Sequence, residues 1–186
     1  MKPIGTFIFT ISLSLITISS CAEEATNDPG SGATPDPGPG VTSDSALFTQ
    51  VTQTEPFTSY TLFPNADSVT SGTLNGSTAH QPLVRVSINT TAFNALQAGI
   101  LPAGTRFPNG SVVFKEIITG GQTTLYAVMS KDSANSLAGN GWLWAEYYPD
   151  GRVAISVEGG GSACVSCHSR EQGVQNDYVR TFERQN

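Results

Sequence analysis

The chain has 186 residues, of which 38% are hydrophobic, 9% aromatic and 13% charged, and this length suits one globular domain rather than two. Its formal net charge of -6 argues against a surface for nucleic acid or anionic lipid, because both need a clustered positive field. The apolar fraction excludes disorder over the whole chain, although 19 glycines and 11 prolines must concentrate somewhere.

The first twenty residues predict an export signal. Lys2 is followed by an apolar run over residues 4–18, which has the length of a signal-peptide core and is too short for a membrane-spanning helix. An isoleucine and two serines then precede Cys21, which resembles the lipobox of bacterial lipoproteins, whose cysteine is acylated. We therefore predict a signal peptide over residues 1–20 and lipidation at Cys21. The alternative is an ordinary signal peptide followed by an incidental cysteine.

Residues 21–45 are predicted to form a spacer, because they contain almost no aliphatic side chains. Residues 27–32 and 36–40 consist entirely of Asn, Asp, Ser, Pro and Gly, and the last two interrupt both helices and strands. We interpret this spacer as a leash between the membrane and a folded domain. No aspartate follows Cys21 directly to retain the lipoprotein at an inner membrane, so we expect a lipid-anchored protein of the cell envelope, at the outer membrane facing the periplasm.

Residues 46–186 are predicted to form one domain of strands separated by turns. Apolar and polar residues alternate along several segments, and Gly, Asn and Asp punctuate them. The predicted strands cover residues 84–89, 111–118, 123–130, 142–148 and 152–158, with a further strand or packed segment at 60–63. One helix is predicted over Thr91 to Ala98, closed by Gly99. The fold class is α+β, a mainly antiparallel sheet with one or two packed helices.

Cys164-Val165-Ser166-Cys167-His168 forms CxxCH, the attachment motif of haem c. Two thiols three positions apart reach the two vinyl groups of one porphyrin, and the His168 imidazole reaches the iron as its ligand. A disulfide between Cys164 and Cys167 is one alternative in an exported protein. A zinc site is another, but it needs four ligands, and only His80 remains to supplement the motif. We predict one haem c per chain.

The other side of the iron is predicted to lack a strong protein ligand. Apart from the initiator, Met129 is the only methionine, and its place in an apolar strand is explained by core packing. His80 precedes Gln81-Pro82 in a turn, where a structural or solvated histidine is expected. An iron with an open position binds small molecules instead of only passing electrons.

Several stretches match a known family in order and spacing. They are residues 80–89, 107–116, 126–131 and 141–144, together with CxxCH near the C-terminal end and the Asp177-Tyr178-Val179 that follows it. In these stretches the chain resembles the P-460 cytochromes and the related beta-type cytochromes c-prime. The resemblance implies a mainly antiparallel sheet with packed helices, usually in a homodimer.

The resemblance also implies a discriminating lysine on a strand. Fully active members resemble hydroxylamine oxidases and link a lysine to the haem ring, whereas the beta-type relatives lack it and bind nitric oxide behind an apolar cap. Lys115 shares its strand face with Val113 and Ile117, and a lysine among aliphatic side chains is costly unless it snorkels to solvent, is paired or is chemically consumed. We therefore favour Lys115 as the haem modifier, with a solvated lysine beside Glu116 as the alternative. Lys131 is expected in solvent or in a turn pair.

Oxidation of hydroxylamine needs a group that removes protons near the iron. Glu146 shares its predicted strand face with three aromatic side chains, those of Trp142, Trp144 and Tyr148. A carboxylate among aromatics in a haem pocket would have a raised pKa and could act as the base. The alternative is a rim carboxylate paired with Arg85 or Arg152. Phe114 is a candidate cap of the open side, and Arg85 a candidate partner of a haem propionate.

These inferences combine into an exported, lipid-anchored monohaem cytochrome that oxidises hydroxylamine or a similar small nitrogen species, with Glu146 as base and Lys115 as haem modifier. One alternative is a non-catalytic protein that binds nitric oxide or another diatomic gas, or that carries electrons. Another is a haem-free interaction module. The expected partners are the small molecule, a redox protein and a second copy of the chain.

Overall fold

The computed structural model describes residues 40–41 and 43–185. The predicted signal peptide, the lipidation site Cys21 and most of the predicted spacer lie outside the described residues. Within them, no helix combines the length and the apolar character that crossing a membrane requires.

A seven-stranded antiparallel sheet organises the described residues. Its strands are β1 (Thr61–Leu62), β2 (Thr70–Ser71), β3 (Leu83–Ile88), β4 (Val112–Thr119), β5 (Gln122–Lys131), β6 (Trp142–Tyr147) and β7 (Val153–Ile155). They are arranged in the order β1-β3-β4-β5-β6-β7, and β2 pairs with the other end of β3. The predicted α+β class is confirmed, because alternating apolar residues form the sheet and short helices pack on it.

The central strands present alternate side chains to two separate cores, since successive residues of a strand point to opposite faces. We call one side the site face; its buried members include Val86, Ile88, Val113, Ile117, Met129, Trp142 and Trp144. We call the other the rear face; its members include Val112, Phe114, Val128, Leu143, Ala145 and Tyr147. The division follows from the register of the strands, which aligns Val113 with Met129 and Met129 with Trp144.

Helix α1 (Asp44–Thr49) covers the rear face and was not predicted from the sequence. Ser43 caps it by accepting a hydrogen bond from the Ala46 N–H, and the chain continues as a π-helical turn, Gln50–Thr54. Leu47 and Val51 are fully buried in the rear core. The helix begins two residues before the start predicted for the domain.

Helix α2 (Thr90–Asn94) is shorter than the helix predicted over Thr91 to Ala98. Its start is explained by Asn89, whose side chain accepts a hydrogen bond from the Ala92 N–H. It cannot extend through Ala98, because Ala98 and Gly99 have φ values of 51° and 81°, in the left-handed region.

The strand predicted over residues 152–158 ends early. Only Val153–Ile155 belongs to β7, and Val157 begins a 3₁₀ turn, Val157–Gly159. The chain bends there because Ser156 caps the turn and Asp44 of α1 accepts a hydrogen bond from the Val157 N–H. Val157 is buried in the rear core while Val153 is exposed, so the two valines do not share a face.

Helix α3 (Ser162–His168) carries the CxxCH motif and was also not predicted as a helix. Two glycines with positive φ, Gly160 and Gly161, lead into it. A Cβ at Gly161 would overlap the Trp144 ring, so glycine is what allows the helix to lie against β6.

Candidate functional site

A cavity that opens to solvent lies over the site face. The sheet forms its floor, α3 one wall, the loop after β2 another, and the 3₁₀ helix Arg180–Arg184 a third. The CxxCH helix therefore faces the sheet across this cavity, with the His80 loop and the Arg180–Arg184 helix at its sides.

Cys164 and Cys167 both line this cavity, as residues three apart on one side of a helix do. Both are free thiols, so the structure contains no disulfide between them. Burial, with a smaller effect from the negative charge of Glu146, raises the pKa of Cys164 to about 11. This side chain therefore stays a thiol at neutral pH, the form that can add to a vinyl group.

His168, at the end of α3, also lines the cavity and is held as a metal ligand would be. Its Nδ1–H donates to the carbonyl oxygen of Tyr178 at 2.7 Å, which leaves Nε2 with a lone pair. Burial, and then the nearby charge of Lys115, lower the pKa of His168 to about 3, so the ring is neutral at neutral pH. The Trp144 ring packs edge-on against it, with centroids 4.8 Å apart.

Lys115 and Glu146 belong to the same row of the site face. The strand register pairs Lys115 with Ala127 and Ala127 with Glu146, so two strand spacings, roughly 10 Å, separate their backbones. Ala127 leaves space between the two longer side chains because its own side chain is a single methyl group. The structure thus brings together the two residues to which we assigned chemical roles.

His80 bridges this gap. Its Nδ1 lies 3.0 Å from Lys115 Nζ and its Nε2 lies 3.2 Å from Glu146 Oε1. A neutral imidazole satisfies both contacts by accepting from the ammonium at Nδ1 and donating to the carboxylate from Nε2. The result is a continuous hydrogen-bonded chain from Lys115 through His80 to Glu146.

Burial lowers the pKa of both basic members of this chain, Lys115 and His80. Burial, and then the positive charge of Arg184, lower the pKa of Lys115 to about 8. Burial, and then the charge of Lys115, lower the pKa of His80 below its ordinary range. Both groups therefore lose a proton more readily than they would in water, although Lys115 still carries its ammonium at neutral pH.

The loop that carries His80 is fixed on the cavity by close backbone packing. The Gly72 N–H donates to the carbonyl oxygen of Pro82 at 2.8 Å, and a Cβ at Gly72 would overlap the backbone of His80. Of the two environments expected for His80, the solvated one is not found, because its side chain is 19% exposed and bonds to Lys115 and Glu146. No local signal marks His80, since its partners are 35 and 66 residues away along the chain.

The alternative partners proposed for Glu146 are engaged elsewhere. Arg85 pairs with Glu116 at 3.2 Å, and Arg152 pairs with Asp150 at 2.8 Å. Tyr148 follows the end of β6 and is exposed, so only Trp142 and Trp144 share the strand face of Glu146. Arg85 is also not part of the cavity wall, where a haem carboxylate would have to lie.

Phe114 does not cap the open side of the site. It lies in the rear core, stacked on Phe57 with ring centroids 4.2 Å apart. The physical reason is the strand period, because neighbours such as Phe114 and Lys115 must point to opposite faces. Met129, in contrast, packs in the site-face core as predicted and also lines the cavity.

Arg184 was not selected from the sequence and contributes to the cavity wall. Its guanidinium donates to the carbonyl oxygen of Thr73 at 2.8 Å. Arg180, four residues earlier, also lines the cavity but is neutralised by Glu171 and Glu183. Two arginines four residues apart, in the segment that follows CxxCH and in a chain with only nine Lys and Arg, were the signal that could have identified this segment.

The residues around the cavity fit a haem. Two thiols and one neutral imidazole stand on one wall, apolar side chains such as Val84 and Val113 line the floor, and the Arg184 guanidinium supplies positive charge for a carboxylate. A disulfide between the two cysteines would leave no free thiol, and a purely apolar site would have neither the imidazole nor the guanidinium.

The sequence profile of one protein family, described as Cytochrome P460, matches residues 66–181, which is more than half of the chain. The matched region contains the whole row of Lys115, Ala127 and Glu146, the bridging His80 and the CxxCH helix. A comparison with curated proteins gave no significant match.

Proposed function

The chain belongs to the cytochrome P460 family, and from that premise we propose that it is a monohaem c-type cytochrome that oxidises hydroxylamine or a similar small nitrogen species. Membership of the family implies a haem cofactor. The observation that carries the proposal is a single cavity that combines CxxCH with the hydrogen-bonded chain Lys115–His80–Glu146.

Three residues of the CxxCH motif and two outside it would hold the haem. Cys164 and Cys167 would bind it through thioether bonds, and His168 would bind the iron through Nε2, which is free because Nδ1–H is committed to Tyr178. Arg184 would neutralise a carboxylate of the porphyrin. In the proposed enzyme, Lys115 is the residue joined to the haem ring.

When bound, the haem iron supplies an open position at which the nitrogen species gives up electrons to a redox partner. The protein must then accept the protons that leave the substrate together with those electrons. Glu146 is the proposed base, because its carboxylate lies in the cavity and its side chain is only 14% exposed. His80 orients that carboxylate through Nε2–H and connects it to Lys115.

An electron carrier is the second candidate, and one distance favours it. The rings of His80 and His168 are 6.4 Å apart, so His80 could be considered as a second ligand of the same iron. Both nitrogens of His80, however, already bond to Lys115 and Glu146, which leaves neither lone pair directed at a metal. The contacts therefore favour an open iron, which can also bind nitric oxide or carbon monoxide.

An optical spectrum with and without hydroxylamine tests the proposal. The protein is matured with a c-haem assembly system, and we expect haem that survives denaturation, gas binding to the ferrous form, and reduction of the ferric form by hydroxylamine. Lys115 in one mass with the haem peptide would identify the cross-link. An iron that binds no gas until His80→Ala removes its ligand would instead identify the electron carrier.

We further propose that the protein is anchored to the cell envelope through lipid on Cys21, at the outer membrane facing the periplasm, and that it forms a homodimer. Cys21→Ala should move the protein from the membrane to the soluble fraction without changing its haem content. Wild-type protein that is already soluble would contradict the anchor. Sedimentation of the soluble variant measures the number of chains.

A further inference from the structure

Lys131 and Asp177 form a buried ion pair beside the CxxCH segment but outside the cavity. Lys131 Nζ lies 2.8 Å and 3.0 Å from the two carboxylate oxygens of Asp177, and the side chains are 6% and 2% exposed. The ammonium also lies over the Trp142 ring, 4.8 Å from its centroid. The sequence predicted Lys131 in solvent or in a turn pair, and neither is its environment.

Asp177 is held by donors from other parts of the chain as well. Its carboxylate accepts a hydrogen bond from the Phe107 N–H at 3.0 Å and a longer one, 3.5 Å, from Arg106. Its backbone carbonyl accepts from Trp142 Nε1–H at 2.8 Å. Asp177 is thus bound by two strands, because Lys131 is the last residue of β5 and Trp142 is the first residue of β6.

The backbone turn at Asp177 connects these contacts with the ring of His168. Asp177 and the next residue, Tyr178, both have positive φ, 51° and 69°, which non-glycine residues adopt only when their surroundings enforce it. That backbone turn aims the Tyr178 carbonyl at His168 Nδ1, 2.7 Å away. An acceptor on Nδ1–H fixes the tautomer and the orientation of a ligating histidine and makes Nε2 a stronger donor.

We propose that the Lys131–Asp177 ion pair is a positioning device for His168, which sets the strength of the bond from His168 to the haem iron. The inference rests on the proposed function for the presence of that bond. Neither residue touches the cavity, so both act through the Tyr178 carbonyl rather than on the substrate. Loss of the pair would let the turn relax and weaken the Nδ1–H···O hydrogen bond.

The test compares three variants with the wild-type holoprotein. Asp177→Asn removes the charge that faces Lys131, and Lys131→Met removes the ammonium but leaves Asp177 its Phe107 and Arg106 donors. Lys131→Met with Asp177→Asn leaves no buried charge and so should fold best. The control is Arg106→Gln, which alters a contact to the same carboxylate from a side chain that is 54% exposed.

We expect the pair variants to keep one covalently bound haem but to show a lower iron–histidine stretching frequency in the resonance Raman spectrum of the ferrous protein. The reduction potential should rise, because a weaker imidazole donor stabilises ferric iron less. Hydroxylamine oxidation should fall by roughly 10- to 100-fold, the usual effect of a lost partner behind a metal ligand. Arg106→Gln should match wild type in all three measurements.

A purely structural role predicts a different result for the double variant. Its melting temperature should recover, and a structural role would then restore the wild-type Raman band, whereas a positioning role leaves the band shifted. Folded pair variants with the wild-type band and potential would overturn the proposal, as would an equal shift in Arg106→Gln.

Failure of the proposed function gives a separate signature. Wild-type protein without haem would disprove that function, and ¹⁵N NMR of the full-length chain then still measures the proton on His168 Nδ1. Loss of its hydrogen bond in the pair variants supports the positioning role, and an unchanged signal overturns it.

Discussion

The two faces of the central sheet are built from the same strands, yet they differ in chemistry. On the rear face, Phe114 is fully buried and stacks on Phe57, within a core that includes Val112, Val128 and Leu143. On the site face, Lys115 and Glu146 lie in one row across the strands, on either side of Ala127. Two successive residues of one strand therefore have different environments, since Phe114 packs in the rear core and Lys115 lines the cavity.

The difference shows how the molecule supports charged groups over its sheet. A buried charge without a partner is destabilising, so Lys115 and Glu146 each require a partner. His80 supplies it from a loop that is not part of the central strands. On the rear face, Glu116 finds its partner on the neighbouring strand, where Arg85 lies 3.2 Å away, so no loop residue is needed to pair it.

The largest effect is expected at the wall opposite the sheet. Replacing both Cys164 and Cys167 with Ala should abolish all haem that survives denaturation, because no thioether can form. Haem staining of the denatured protein measures it, with Cys21→Ala as the control that keeps its haem. Covalent haem retained in the double variant would contradict the assignment of the motif.

The next largest effect is expected when one carboxylate on each face of the sheet is replaced and the rates of hydroxylamine oxidation are compared. Glu146→Gln should slow hydroxylamine oxidation by roughly 10²- to 10⁴-fold, the range for a lost general base, with a nearly unchanged spectrum. Glu116→Gln is the matched control, because both side chains are 14% exposed and Glu116 pairs with Arg85 outside the cavity. Equal losses of turnover in the two variants would remove Glu146 as the base.

The rear face should determine stability without influencing the spectrum. Phe114→Ala should lower the free energy of unfolding by about 3–5 kcal/mol, as for other buried aromatic truncations. Phe93→Ala, at a side chain that is 43% exposed, should change it by only about 0.5 kcal/mol or less. Urea unfolding measures both. A shifted haem spectrum in folded Phe114→Ala protein would mean that the two faces are not independent.

The smallest effect concerns the pH dependence of stability at Lys115. Its pKa is about 8 in the folded chain against an ordinary 10.5, so between these values the unfolded chain binds more protons and stability rises with pH. The free energy of unfolding should increase by up to about 3 kcal/mol across that window. Urea titrations of the Cys164→Ala, Cys167→Ala protein, in which Lys115 is not joined to haem, measure this rise. Addition of Lys115→Met should abolish it, and an equal rise in both proteins would refute the assignment.

The strands were predictable because the alternation of Val84, Val86 and Ile88 and the turns at Gly110 and Gly120 are local signals. Helices α1 and α3 were not, because one follows a Gly- and Pro-rich stretch and the other lies between glycines. Both are stabilised by contacts with the sheet rather than by their own sequence.

The candidate site was predictable where a motif or a strand face defines it, as for Cys164 and Lys115. It was not predictable where two distant segments meet. His80 acquires its role from strands far along the chain, and Lys131 meets Asp177 across 46 residues. Adjacent charges in the sequence, such as Lys131 and Asp132, suggested a local pair that the fold does not form.

Ala127 has no polar group, yet its small size leaves the space in which Lys115, His80 and Glu146 meet. Its methyl group lies between Lys115 and Glu146, in the row that His80 spans. A valine or leucine there would fill the space beneath the imidazole and part the three polar residues without altering any of them. Residue 127 is therefore a position at which one apolar substitution can interrupt the hydrogen-bonded chain while leaving each of its members in place.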